Sequence, residues 1–275
     1  MNENVHRAVA ILEQNRTLAD GVHVLVLAAP GWARDVKPGQ FAMIRAPGPE
    51  PLLARPMAFM TADEKHASFG MKVVGRGTTA LSLAPAGTEL VVWGPLGKGF
   101  AAPAKGARHV LVGGGIGVPP LVLQAAAMTK AGMPPVSVIV GARTKAELFG
   151  REELKKLKLT PKIATDDGSD GIKGFVTELL KKEDLGPGVV VQACGPTPML
   201  LAVQKIALAK GARCELSLEA RMGCGVGACR GCMVPVSAEA KKSGRFTGRE
   251  YLCLCLDGPV VDATEVDLER NLGVH

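Results

Sequence analysis

The stretch from Glu219 to Cys232 constrains this chain more than any other, reading E-A-R-M-G-C-G-V-G-A-C-R-G-C. It sets Cys224, Cys229 and Cys232 in a C-x4-C-x2-C array threaded with Gly223, Gly225, Gly227 and Gly231. A further thiol follows at Cys253 or Cys255, just ahead of Asp257-Gly258-Pro259. Three thiolates from one loop and a fourth from further along is the plant-type [2Fe–2S] spacing. The glycines suit it, because a loop wrapped round a small anionic cluster needs positive φ and close backbone approach, so that N–H groups can face sulfur. Structural zinc is the competing reading of four cysteines, but zinc ribbons pair two short knuckles, and here three thiols share one loop. The spacing therefore predicts an iron–sulfur loop, and asks what upstream supplies its electrons.

The rest of the chain has room for that supply. At 275 residues it accommodates two or three modest domains. No apolar run approaches the roughly 18 residues of a membrane span, and Met1–Arg16 lacks the apolar core of a secretory signal. Seven cysteines without such a signal point to reduced thiols or metal ligands in the cytoplasm, not a disulfide framework. The net charge of +7 is dispersed, with mild basic clusters at 155–162 and 241–249. Only 4% of residues are aromatic, so there is little with which to stack bases. A solvated face or a docking surface for an acidic partner explains the charge better than nucleic acid does.

Residues 1–103 read as a small antiparallel β-barrel. Short β-branched runs at 22–27, 41–45, 68–74 and 89–93 are split by Pro30-Gly31, Pro38-Gly39 and further Gly/Pro turns. Three segments are candidates for ligand contact. Arg55-Pro56-Met57-Ala58 places a planar guanidinium beside a fixed-φ proline, suited to a pyrophosphate. Lys72-Val-Val-Gly75-Arg76-Gly77-Thr78-Thr79 reads as a glycine-broken strand end whose N–H groups can reach phosphate, with Gly70 and Met71 on the strand before it. Gly94–Phe100 reads as a tight turn closing the barrel.

Residues 104–210 read as a parallel α/β nucleotide-binding unit. His109-Val-Leu-Val runs into Gly113-Gly114-Gly115-Ile116-Gly117-Val118-Pro119-Pro120 and then a helix over 121–130. Strand, glycine turn and helix N-terminus present N–H groups and a dipole to a pyrophosphate. The pattern is G-G-G-x-G-x-P-P and not the G-x-G-x-x-G of the standard dinucleotide fingerprint. Further strands over 136–140, 162–165 and 189–192 end at Arg143, at Asp166-Asp167-Gly168 and at Cys194-Gly195-Pro196. In open α/β sheets ligands bind at such strand ends. Arg143 is a candidate for the ribose or adenine side of a dinucleotide, and Cys194 for its nicotinamide side. Residues 211–275 then form a small cluster-binding domain.

In this order the segments resemble the ferredoxin–NADP reductase superfamily, and within it the electron-transfer subunits of the class 1B dihydroorotate dehydrogenases. The resemblance rests on PGQF at 38–41, RPMAF at 55–59, GRGTT at 75–79, GPLGKGF at 94–100, GGGIGVPPL at 113–121, TDDGSDGIKG at 165–174, CGP at 194–196, SLEARMGCGVGACRGC at 217–232 and CLDGPV at 255–260. It implies FAD across the barrel and a nicotinamide dinucleotide on the α/β unit. It also implies a [2Fe–2S] cluster passing electrons to an FMN-containing catalytic partner, in a heterotetramer. Carried over by motif, Arg55 holds the FAD pyrophosphate, and Gly77 and Thr78 line its phosphates. Lys72 stands where the family usually has arginine. Cys224, Cys229, Cys232 and Cys255 become the ligands, since the family's fourth cysteine stands two residues before Asp-Gly-Pro. No side chain is expected to act as general acid or base, and the chain alone is not expected to oxidise dihydroorotate.

Two departures stand out. The family's R-P-x-S/T carries a hydroxyl that can hydrogen-bond the flavin, and here that position is Ala58. The stretch between Cys232 and Cys255 looks longer than usual and carries Lys241, Lys242, Arg245 and Arg249. The small subunit of an NADH-dependent ferredoxin:NADP oxidoreductase or sulfide dehydrogenase shares all these cofactors and is the alternative. A colourless zinc-bearing interaction module is a second alternative, from a different class.

Overall fold

The computed structural model describes residues 5–244 and 246–271. Its first unit is a closed antiparallel barrel. β1 (His6–Ala19) and β2 (Val22–Ala28) form a hairpin whose inward side chains Leu12, Leu25 and Leu27 are fully buried. β3 (Phe41–Ile44), β4 (Arg55–Ala62), β5 (His66–Lys72) and β6 (Glu89–Leu96) complete the order β1-β2-β5-β4-β3-β6. Closure leaves no free sheet edge. Phe59 and Phe69, with ring centroids 4.8 Å apart, and Trp32, 6.2 Å from Phe59, fill its interior. Such pairs contribute about 0.5–1.5 kcal/mol beyond their burial.

Two local expectations change here. The Gly75–Thr79 segment is not a broken strand end but the start of a helix, α1 (Arg76–Leu83). The Thr78 hydroxyl, at the third helical position, reaches back to accept from the N–H groups of Val74 (2.9 Å) and of the cap residue Gly75 (3.1 Å). The turn expected at 94–100 begins only at Gly97, since β6 continues to Leu96 by pairing with Phe41.

The second unit interleaves strands and helices: β7 (Arg108–Gly114), α2 (Val118–Lys130), β8 (Ser137–Ala142), α3 (Arg151–Lys156), β9 (Lys162–Thr165), β10 (Ile172–Lys173), α4 (Val176–Leu180), β11 (Val189–Cys194), α5 (Thr197–Ala209) and β12 (Arg213–Ser217). The cysteine-rich segment continues as β13 (Met233–Pro235), α6 (Ala238–Lys242), β14 (Tyr251–Cys253), the single turn α7 (Leu254–Asp257), β15 (Val260–Asp262) and α8 (Leu268–Asn271). β13 and β14 pair with each other. β15 instead returns to the main sheet, whose order is β10-β9-β8-β7-β11-β12-β15, parallel except for that last edge strand. β8 lies to one side of β7 and β11 to the other, so the topological switch point falls between β7 and β11.

Shared cores fix the units against each other. One apolar cluster runs from Val112, Val191 and Leu216 in the sheet to Val234, Leu252 and Leu254 in the cysteine-rich segment. Another joins Val118 and Val122 of α2 to Val140 of the sheet and to Val24 and Met60 of the barrel. Among the described residues no helix is long and apolar enough to cross a membrane.

Candidate electron-transfer site

The barrel and the sheet face each other across an open groove of about 320 Å³. Its lining brings together Arg55, Pro56, Met57 and Ala58 of β4, Gly70, Met71 and Lys72 of β5, Thr78 of α1, Cys194 of β11, and Ser217 at the end of β12 with Leu218, Glu219, Ala220 and Met222 after it. Gly70 makes the junction tight: a Cβ there would lie 2.5 Å from Cγ of Pro119, in the first turn of α2.

On the barrel side the groove is built for an anion. Arg55 donates from Nη1 to the Leu53 carbonyl at 2.6 Å. The rest of its guanidinium lies on Gly77, where a Cβ would sit 2.5 Å from Nε and 2.7 Å from Cζ. A fixed cation therefore abuts the N-terminal turn of α1, which carries no acidic residue and has its own positive dipole end. Two positive ends side by side are an arrangement to which a phosphate can bind.

Lys72 and Arg143, expected to serve two different ligands, meet on one carboxylate. Lys72 Nζ lies 2.7 Å from Glu147 Oε2, and Arg143 Nη2 lies 2.9 Å from Glu147 Oε1. The Lys72 hydrogen bond, with Arg143 assisting, holds the Glu147 carboxyl below its ordinary range against the opposing effect of burial. The sequence offered no signal for Glu147, because Lys72 and Glu147 are 75 residues apart. The half-buried Lys72–Glu147 pair ties barrel to sheet. Glu147→Gln should cost about 1 kcal/mol at neutral pH. A depressed carboxyl stabilises above its unfolded pKa, and that contribution is lost as pH falls through the folded value. Thermal melts of both proteins should therefore converge on acidification, and a gap unchanged by pH would assign the loss to packing.

At the switch point β7 ends in Gly113-Gly114, a tight turn spans Gly115–Gly117, and α2 follows. Gly117 lies against the end of β11, where a Cβ would sit 2.2 Å from the Cys194 carbonyl oxygen. Pro119 and Pro120 open α2, where a missing N–H costs nothing, and the first turn has no acidic residue. Gly195 and Pro196 make the matching turn into α5. Burial first, and the nearby Glu219 carboxylate second, push the Cys194 thiol up to about 12, so it stays neutral and unreactive. Glu219 lines the groove with its side chain open to solvent, and the protein packed around it raises its carboxyl. Sequence reasoning marked Glu219 only as the start of the cysteine loop.

The thiols fall into two sets. Cys224 Sγ accepts from the N–H groups of Val226 and Cys229, both at 3.4 Å. Burial would raise the Cys224 thiol, but these bonds outweigh it and bring the thiol down to about 7. In the second set, the sulfurs of Cys232, Cys253 and Cys255 lie within 4.8 Å of one another. Gly227 N–H donates to Cys255 Sγ at 3.1 Å and links the two sets. Two sets of soft donors facing backbone N–H groups fit a two-iron cluster. The loop rests on the barrel through Trp93, whose Nε1 donates to the Cys224 carbonyl at 3.0 Å. In the basic stretch, Lys241 pairs with Glu250 and Arg249 with Asp257, while Arg245 lies outside the described residues.

Comparisons with known proteins agree with this geometry. Residues 219–267 match the iron–sulfur cluster binding domain of dihydroorotate dehydrogenase B, and residues 111–205 match the oxidoreductase NAD-binding domain. The structure of an NADH-dependent reduced ferredoxin–NADP oxidoreductase superposes with a TM-score of 0.81 at 28% identity, over 97% of this chain and 92% of that one. Phthalate dioxygenase reductase shares the fold, with a TM-score of 0.64 at 15% identity, over 85% of this chain and 88% of that one. The dihydroorotate dehydrogenase B (NAD(+)) electron transfer subunit of Fusobacterium nucleatum is 39% identical over 240 residues, covering 84% of this chain and 87% of its own. That of Geobacillus thermodenitrificans is 42% identical over 264 residues, covering 92% of this chain and 95% of its own. At that identity and near-complete mutual coverage, the chain belongs to the family of dihydroorotate dehydrogenase B electron transfer subunits.

Proposed function

We propose that this chain relays electrons between NADH and an FMN-containing dihydroorotate dehydrogenase catalytic subunit in pyrimidine biosynthesis, using FAD in the groove and a [2Fe–2S] cluster in the cysteine loop. One observation carries the reading: Ser217 to Ala220 and Met222 line the groove, and the same backbone reaches Cys224 two residues later. The flavin groove and the cluster loop are thus neighbouring parts of one segment. When bound, FAD would accept a hydride, one electron pair with its proton, and release the electrons singly, as a one-electron cluster requires.

The chain's own residues bind, orient and insulate. Arg55, Gly77 and Thr78 hold the FAD pyrophosphate, while Pro56, Met57, Ala58, Gly70 and Met71 wall the groove. Gly113, Gly114, Gly115 and Gly117, with Gly195 and Pro196, cradle the dinucleotide pyrophosphate, and Arg143 lies toward its adenosine end. Lys72 acts through Glu147. Cys194 packs as a neutral thiol, and Glu219 is the protonatable group beside it. Cys224 and Cys229 bind one iron, and Cys232 with Cys255 the other. The units 1–103, 104–210 and 211–275 carry flavin, dinucleotide and cluster, with β12 and β15 lending part of the last to the sheet of the second. The family's organisation supports a cytoplasmic heterotetramer.

An anaerobic visible spectrum titrated with NADH tests the reading. Bleaching of flavin absorbance over a broad iron–sulfur band supports it. A response to NADPH alone favours the ferredoxin:NADP oxidoreductase alternative, and a colourless zinc protein overturns the relay. Within the same assay, Ala58→Ser restores the hydroxyl expected beside the flavin. It should speed flavin reduction about tenfold, the equivalent of one hydrogen bond of about 1.4 kcal/mol. An unchanged rate would mean that this position does not tune the flavin.

A further inference from the structure

Five thiols surround a cluster that needs four. We propose that Cys253 is a second ligand-competent thiol for the position assigned to Cys255, so that the cluster can be held through either residue; this rests on the iron–sulfur reading above. Cys253 Sγ lies 3.7 Å from Cys232 Sγ and 3.7 Å from Cys255 Sγ. Two thiolates on one tetrahedral metal, with bonds of about 2.3 Å, sit about 3.8 Å apart. Cys232 and Cys253 already have that separation. Both Cys253 and Cys255 are buried, at 0% and 2% exposure, so neither sulfur faces solvent.

The backbone holds Cys253 as firmly as Cys255. Its residue pairs with Met233 across β13 and β14, next to Cys232. Its N–H donates to Asp257 Oδ2 at 2.8 Å, and Asp257 is in turn gripped by Arg249 from the basic stretch. Cys255 is held by the Gly227 N–H and by its own N–H on Cys232 Sγ at 3.4 Å. Only Leu254 separates the two cysteines, Cys253 capping the short α7 turn and Cys255 lying within it, so exchange needs a rotation within that turn and no refolding. The exchange is redox-neutral: the iron bond to Cys255 sulfur breaks, the bond to Cys253 sulfur forms, and the thiol proton of Cys253 passes to the departing sulfur.

The test compares Cys253→Ala, Cys255→Ala and the double variant in the full chain, since alanine cannot itself ligate. Iron and sulfide content, the low-temperature EPR of the reduced protein and visible circular dichroism are the readouts, and bound flavin reports folding. Cys253→Ala should keep wild-type iron and spectrum. Cys255→Ala should keep about half or more of the iron with altered EPR, and the double variant should fall below about a tenth while keeping its flavin. Cys255→Ala as empty of iron as the double variant overturns the proposal. So does a double variant that keeps its cluster, or an empty Cys253→Ala, which would make Cys253 the sole fourth ligand. If Cys255→Ala loses flavin as well, Cys255→Ser read by the same EPR comparison against Cys253→Ala/Cys255→Ser replaces it. A wild-type chain holding zinc in place of iron refutes the iron–sulfur reading itself and is distinct from all of these.

Discussion

Replacing Gly117 by alanine should abolish reduction by NADH and lower the melting temperature by roughly 10 °C, corresponding to about 3 kcal/mol. The backbone at Gly117, with φ −76° and ψ −5°, is one that alanine adopts freely, so the cost is one of space alone. The new methyl would lie 2.2 Å from the Cys194 carbonyl oxygen and 2.5 Å from the Gly195 nitrogen. Both are backbone atoms of the neighbouring strand end, which no side-chain rotation can clear. The glycine turn and the Cys194–Pro196 turn must part, and these are the two turns proposed above to cradle the dinucleotide. Gly115→Ala is the control. Its φ of +51° is strained for alanine, but nothing lies within 4 Å of the new methyl, so the loss should stay near 1 kcal/mol. Stopped-flow flavin reduction and thermal melts check both. A Gly117→Ala protein that melts and reacts like wild type would show that the two turns do not close on each other.

Arg55→Ala should weaken FAD binding about a hundredfold, near 3 kcal/mol, so that the purified protein loses flavin on dilution. The guanidinium is the fixed cation beside α1, anchored at one end by the Leu53 carbonyl and packed flat on Gly77. Arg55→Lys keeps the charge but neither the planar fork nor the contact over Gly77, so it should recover only part of the affinity. Flavin absorbance per chain after gel filtration measures both. Full flavin retention by Arg55→Ala would remove Arg55 from the pyrophosphate site. The iron content of these variants should remain at the wild-type level, because the cysteine loop is anchored through Trp93 and the sheet core.

Much of this architecture was legible from the chain alone, because its signals are local. The apolar run before Gly113, the glycine turn and the Ala/Leu helix after it follow one another within a few turns of backbone, and the structure has β7, the turn and α2 in that order. The spacing of Cys224, Cys229 and Cys232 is equally local, since all three thiols belong to one loop. β1 was not legible. It is the longest strand, yet much of it is exposed, so apolar alternation is weak and barrel closure stabilises it. At Gly75–Thr79 a threonine cap decided for helix where the glycines suggested a broken strand.

The sequence by itself determined the kinds of unit, their order and the thiol-bearing loop, because periodicity, turn chemistry and ligand spacing act over neighbouring residues. Only the tertiary structure decided that Glu147 joins Lys72 to Arg143, that Trp93 holds the loop at Cys224, and that β15 leaves the cysteine-rich segment for the edge of the main sheet. It also decided that Cys253 lies as close to Cys232 as a ligand would. The reason is physical. Apart from Arg143 and Glu147, four residues apart, these contacts bring together residues whose separation along the chain carries no pattern, and they form where buried apolar faces from different units pack into common cores.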